Sequence, residues 1–451
     1  DVSEDGLEWL FYIRPDARWS NGDPLTAHDF EYSLRRSCDP ATLNEYASIL
    51  FPIAQAEAVV AGKLPAEALG VRALDDRRLQ IRLASPTPYF LGLLTHSTAY
   101  PVHRASVERY GNRFARAGVL VGNGAYRLEE WAVQSHIRLV RNHHYWDDAH
   151  TGIDEVWYYP IENGDAEVAR YRAGELDFTQ GIPLRQMAWL RENLASELRI
   201  APYLGIYYMG FNTTRPPFKD NPQLRLALSM AVDRDILVRR VMGTGEEPAY
   251  GFVPPVADYT GQRPAWAAWS QEQRNAEARR LYHAAGYSDD NPLVVEVLYN
   301  TDQNHKRIVG ALAAMWKQTL GVRTRLLNQE WKVFLETRKR KLVTQVFRSG
   351  WIGDYNDAYS FSQLMHSKNG QNDPGYNSPA YDALLDAAAA TADAAHRRAL
   401  LEAAERQLLE DQPVIPLYFY ASKRLVKPWV GGYQANIMDQ HHSKDLYILS
   451  H

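Results

Sequence analysis

Apolar and polar positions alternate in short runs from the first residues onward. "LEWLFYIRP" (7–15) and "RRLQIRLASP" (77–86) read as strands, each closed by a proline. Between them "DPLTAHDFEYSLRRS" (23–37) changes to helical spacing, with Thr26 as N-cap, Asp29 as its acidic partner three residues on, and Phe30, Leu34 and Arg35 on successive turns. "GAYRLEEWAVQSHIRLVRN" (124–142) predicts a hairpin, "IDEVWYYPI" (153–161) a further strand, and "DAEVARYRAGELDFTQ" (165–180) a helix stopped by Gly174 and followed by a strand. A Pro-rich entry at 211–243 leads into a helix carrying Leu224, Leu226, Leu228 and Val232, then a second helix closed by Gly243. "PLVVEVLYN", "HKRIVGALAAMWKQTLG" and "VRTRLLNQ" (292–329) form a β-α-β pattern, whose crossover is expected to be right-handed. Residues 378–412 predict two helices, capped by Ser378 and Asp393, with Leu400, Leu401, Ala404 and Leu408 as the second one's core stripe. The elements mix without a fixed period, so the fold class is α/β with no internal repeat.

Composition narrows the class. The 451 residues suffice for more than one domain with a full core, and 45% of them are hydrophobic. A net charge of -4 supplies no electrostatic argument for nucleic acid or an anionic membrane. The single cysteine, Cys38, excludes an internal disulfide framework and a CxxC redox site. Nor is there an apolar run of about 18 residues that could span a bilayer. Aromatic residues make up 12% of the chain, and many stand beside Gly, Asn, Asp or Pro, a setting that suits pockets as well as ordinary core and turns.

Signatures of catalysis are missing: no G-x-S-x-G elbow, phosphate-binding glycine loop or H-E-x-x-H helix occurs. "NHHYWDDAH" (142–150) and "DQHHSKD" (439–445) resemble metal clusters in composition, but adjacent histidines on a strand point to opposite faces, so exposed turns are the expectation. No cofactor, no metal site and no enzyme activity are expected.

Seven phrases in order carry a resemblance along the whole chain: "WSNGDPLTAHDFEYSLRR" (19–36), "GNGAYRLEEW" (122–131), "RYRAGELDFT" (170–179), "PPFKD" with "VDRDILV" (216–238), "NQEWKVFLETR" (328–338), "GWIGDYNDA" (350–358) and "RLVKPWVGGY" (424–433). Together they resemble the periplasmic oligopeptide-binding proteins of bacterial ABC importers, within the extracellular solute-binding family 5. The resemblance implies a two-lobed periplasmic-binding-protein fold (class II, cluster C) with an extra domain, closing on a hinge around its ligand. It also implies that the family's N-terminal segment precedes the first residue here. Residues 1–105 would be the smaller second domain, 106–204 with 421–451 the first lobe, and 205–420 the third domain, with hinge crossings near Tyr203 to Asn212 and Leu417 to Ser422.

By the same resemblance, the partners are short linear peptides and a membrane permease, not nucleic acid, and the protein is a periplasmic monomer exported by an upstream signal. Asp354 would hold the peptide ammonium, the one positive charge every free peptide carries at its start; the alternative is a turn-capping acid. Arg348, Arg338 and His305 match carboxylate-binding positions. Internal pairing with a groove acid is the alternative for Arg348, and a solvated basic face for Arg338. Arg263 is the nearest basic residue to a family lysine that has no clear counterpart. Trp331, Trp351, Tyr46, Tyr203 and Tyr208 match pocket positions, with plain core as the alternative. Gly350, Ile352 and Gly353 complete the expected ligand-binding set, and the two glycines would admit a close backbone approach. The family pattern has a cysteine at the positions of both Gly205 and Ile352; this chain has neither, so that groove wall rests on packing. A binding protein specialised for murein tripeptide is the leading alternative, ahead of a peptide-sensing receptor or a peptidase.

Overall fold

The computed structural model describes residues 1–341 and 345–450. Strands β1 (Glu8–Tyr12), β2 (Val71–Ala73) and β3 (Arg78–Arg82) form an antiparallel sheet in the order β1-β3-β2. Leu79 and Ile81 of β3 turn inward against Leu34 of the helix Ala27–Cys38. That helix starts as the sequence predicts: the Thr26 amide donates to the Asp29 carboxylate at 2.8 Å. Tyr355, from far along the chain, is buried in the same core.

Strands β4 (Tyr126–Ala132), β5 (His136–Arg141) and β6 (Glu155–Tyr158) form a second antiparallel sheet in sequence order. The helix Gly164–Arg172 follows, and Gly174 leaves it at φ +79°. The strand expected after it reduces to a single bridge between Phe178 and Val426. The run between Gly174 and Gly181 is too short to pair further and carries alternating acids on its exposed side.

The largest sheet gathers β7 (Leu198–Phe211), β8 (Glu247–Pro248), β9 (Val294–Asn300), β10 (Arg323–Gln329), β11 (Val346–Ile352) and β12 (Val414–Leu425) in the order β10-β9-β11-β7-β12-β8. β9 and β10 are parallel and joined by the helix Gln303–Leu320, whose C-terminal Gly321 adopts φ +71°. The helix Pro222–Met230 buries Leu224 and Leu228; Val232 lies beyond its end but in the same core. Helices Pro379–Ala390 and Ala394–Asp411 are capped by Ser378 and Asp393. Leu342, Val343 and Thr344, just before β11, lie outside the described residues.

Two features of this sheet position the site. β7 and β12 pair along nearly their whole lengths, with one extra residue in β12 between Pro416 and Tyr418 and extra residues in β7 between Pro202 and Ile206, opposite Phe419 and Ala421. β11 pairs with β7 from end to end, but with β9 only at Val346 and Phe347. From Arg348 to Ile352, one edge of β11 therefore has no strand partner among the described residues.

Candidate functional site

The open edge of β11 starts at Arg348 and leads to Asp354, and neither of these buried residues is paired with a lysine, arginine or carboxylate of opposite charge among the described residues. Other deeply buried charges have such partners or accept and donate several backbone hydrogen bonds. Asp357 pairs with Arg397, Asp439 with Arg424, Glu246 with Lys423 and Asp373 with Arg338. Glu405 accepts from the amides of Phe252, Val253 and Gln262, while Arg225 and Arg234 donate to backbone carbonyls. Among the described residues, no carboxylate lies within ion-pairing distance of Arg348.

Arg348 is surrounded by tyrosines instead. Its guanidinium lies 4.9 Å from the centre of the Tyr207 ring, and Nη2 reaches the Tyr420 hydroxyl at 3.4 Å. Tyr207 stacks on Tyr418 at 4.8 Å, and its hydroxyl meets Nδ1 of His305 at 3.3 Å. Burial, with the nearby Arg348 charge second, holds the His305 imidazole well below its ordinary pKa, against a smaller upward pull from Asp302. A neutral His305 beside an uncompensated guanidinium makes a cradle for one anion.

Asp354 ends the same strip with the opposite sign. Its carboxylate is 15% exposed; it accepts from the Tyr46 hydroxyl at 2.6 Å and lies 4.0 Å from Nε2 of His96. Burial raises its pKa, opposed by the Tyr46 hydrogen bond and then by His96. The Asp354 amide donates to Ser360 Oγ at 3.0 Å, which fixes the turn. Tyr46 and His96 come from the segment packed around the first sheet. Beside them Tyr89 stacks on Tyr355 at 4.7 Å and on Tyr359 at 5.4 Å. At about 3.3 Å per residue, the six steps from Arg348 to Asp354 span at most about 20 Å.

The remaining expected residues divide. Trp331 begins the helix Trp331–Arg340 and is 47% exposed. Trp351 is partly buried, and its indole nitrogen has no hydrogen-bond partner. Tyr203 packs obliquely on Tyr420. Tyr208 is deep in the core, edge-on to Phe252 at 5.2 Å. Arg338 is neither solvated nor free: Asp373 holds it. Arg263 is exposed, over the ring of Tyr250. A Cβ on Gly350 would come within 2.7 Å of the Tyr420 hydroxyl, and one on Gly353 within 2.8 Å of Leu204, so the chain's own side chains fill the space that these glycines leave. Gly205 and Ile352 are direct partners across β7 and β11, with the Ile352 side chain covering the glycine. The histidines at 143 and 150 lie in an exposed turn, beside Asp148 and Asp147.

Tyr207, Tyr420, His96 and Asp373 were missed from the sequence. Period-two alternation in "PLYFYAS" could have placed Tyr418 and Tyr420 on one face. Nothing local marks His96 or Asp373.

The sequence profile of the bacterial extracellular solute-binding proteins, family 5 Middle, matches residues 1–373. The chain belongs to this family. It is 42% identical to the periplasmic oligopeptide-binding protein OppA of Escherichia coli K12 over 454 aligned positions, covering 100% of this chain and 83% of that one. Among solved structures, the murein tripeptide-binding protein MppA of Escherichia coli superposes with a TM-score of 0.92 at 40% identity, covering all of this chain and 88% of that one. OppA of Haemophilus influenzae in complex with RPPGFSPFR gives 0.90 at 37% identity, covering 100% and 89%. The unliganded open form of MppA gives 0.78, with the same 40% identity and 100% and 87% covered. The fold is therefore the two-lobed fold of these family 5 proteins, in an arrangement nearer to the peptide complex than to the open form.

Proposed function

We propose that the protein binds short peptides between its lobes, recognising the termini and the backbone, and delivers them to an ABC permease. The observation that carries this reading is the pair of buried charges at the two ends of one open strand edge: Arg348, with no carboxylate within ion-pairing distance among the described residues, and Asp354, held by the Tyr46 hydroxyl and His96 with no lysine or arginine beside it among the described residues. A peptide zwitterion supplies the complement: an ammonium for Asp354, a carboxylate for Arg348 with His305 alongside, and an extended backbone for the edge between them. Such contacts use groups common to all peptides, so side chains are housed rather than selected. Trp331, Trp351 and Tyr203 border that space in this reading. The absence of a catalytic motif in the sequence favours capture over chemistry.

Residues 1–105 act as the smaller domain, 106–204 with 421–451 as the first lobe and 205–420 as the second lobe, with β7 and β12 crossing between them. In this reading the protein is a periplasmic monomer. The MppA relative makes murein tripeptide a second reading of the same site. Denaturing the purified protein and identifying its released small molecules by mass spectrometry tests both. A mixture of short peptides is the expected result; a single cell-wall peptide would replace it with the second reading, and a non-peptide ligand would overturn both.

A further inference from the structure

The turn that carries Asp354 begins where β11 leaves its ladder. The strand's hold ends at Gly353, whose amide donates to the Leu204 carbonyl at 2.8 Å. Beyond it the chain is held from within and from across. The Asp354 amide donates to Ser360 Oγ, and the Ser360 amide returns to the Asp357 carbonyl at 3.1 Å. Asp357 accepts two hydrogen bonds from Arg397, at 2.9 and 2.8 Å. From across comes Tyr89, in the segment packed around the first sheet. Its ring lies 4.7 Å from that of Tyr355 with 3° between the planes, and 5.4 Å from that of Tyr359 at 20°. The Arg397 guanidinium that holds Asp357 is 5.1 Å from the centre of the same ring.

Tyr89 is itself set firmly. It follows Pro86 and Pro88, which restrict the backbone before it, and its carbonyl accepts from the Leu93 amide at 2.9 Å across the short helix Phe90–Leu93. That helix approaches the turn closely: a Cβ on Gly92 would come within 3.1 Å of the Tyr355 Cβ. Tyr355 is 4% exposed and packs in the same core as Phe90 and Leu93. One ring therefore engages Tyr355 and Tyr359 directly and Asp357 through Arg397, the alternate residues of the turn after Asp354. A charge-assisted hydrogen bond weakens steeply with misplaced distance or angle, so the Asp354 carboxylate can hold a ligand ammonium only as well as this turn is fixed.

We propose that Tyr89 is a positioning residue for the ammonium end of the ligand: by stacking on Tyr355 and Tyr359 it fixes the turn that carries Asp354, and so strengthens binding of peptides with a free N-terminus but not of the same peptides with a blocked one. This rests on the peptide-binding reading above. The action belongs to the flat face of the ring rather than to its hydroxyl. Phenylalanine can therefore replace it, and leucine, an apolar side chain with no flat face, cannot.

The test measures Ala-Ala-Ala and N-acetyl-Ala-Ala-Ala by isothermal titration calorimetry, the weaker peptide by its displacement of the stronger, on the full chain and its variants. In Tyr89→Leu the free peptide loses about ten-fold in affinity, while the acetylated one changes by less than about two-fold. Tyr89→Phe stays within about two-fold of wild type for both. Added to Asp354→Asn, Tyr89→Leu costs the free peptide no more than about a further two-fold, since the group it positions is gone. Equal losses for the two peptides in Tyr89→Leu overturn the proposal, because a general structural role weakens both alike; an unchanged affinity for the free peptide overturns it as well. If Tyr89→Leu does not fold, Tyr89→Met is put to the same comparison and decides in the same way. Wild type that binds both peptides equally removes the role of Asp354 and this proposal with it. Wild type that binds neither would instead remove the peptide-binding reading itself.

Discussion

Asp354 is costly to keep in place. Its burial disfavours the ionised form, and the Tyr46 hydroxyl and then His96 offset that cost without supplying a full counter-charge. A ligand ammonium completes the pair, and removing one member of a buried pair costs about 3–5 kcal/mol. We therefore expect Asp354→Asn to weaken tripeptide binding by roughly two to four decades, and N-acetylated peptides to bind wild type comparably poorly, both measured by calorimetry. The complex needs the carboxylate ionised, so affinity is present above the Asp354 pKa of the free protein and is lost as pH falls through it. Burial has moved that pKa above the ordinary aspartate range, so the loss begins at a higher pH than for an exposed aspartate. Tyr46→Phe removes the hydrogen bond that favours the ionised form and should move the onset higher still; an unchanged pH profile would contradict the role assigned to Tyr46.

At the scale of the element, β11 is both a structural strand and a half-open edge. Alternation sends Arg348, Gly350 and Ile352 to the face shared with Tyr207 and Gly205 across the ladder. Gly350 lies beneath the Tyr420 hydroxyl, and an added methyl would sit 2.7 Å from that oxygen and 3.2 Å from the Ile206 carbonyl. Gly350→Ala should destabilise the protein by about 1–3 kcal/mol through overpacking. Gly350→Ala/Tyr420→Phe, which removes the oxygen, should recover at least half of that loss in denaturant melts. If the double variant loses the sum of the two single losses, the Tyr420 contact is not what makes a glycine necessary there.

Across the whole molecule, the arrangement brings together groups from distant segments. Tyr46, Tyr89 and His96 meet 354–359, and the long pair β7 and β12 runs past both ends of the site. Stability against acid belongs to this scale. The folded state keeps His305 neutral, and a histidine with a depressed folded pKa contributes stability above its unfolded value, near about 6.5, that is lost as pH falls below it. The ligand-free melting temperature should therefore fall less steeply below about pH 6.5 in His305→Gln than in wild type. Parallel curves would show that His305 titrates alike in the folded and unfolded states.

The sequence by itself determined most elements and their ends, because capping, helical spacing and alternation are local. Thr26 with Asp29, Gly321 after its helix and the Ser378 and Asp393 caps are cases in point. It also brought out Asp354 and Arg348 as candidates, through a resemblance spread over the chain. It failed where an outcome depended on a partner far away: the strand after Gly174 shrank to one bridge, and the space at Gly350 went to Tyr420. Only the tertiary structure decided which charges are compensated. Arg338 and Arg348 look alike in sequence, yet one meets Asp373 and the other meets tyrosines, because pairing depends on a few ångströms between segments that chain order leaves unrelated.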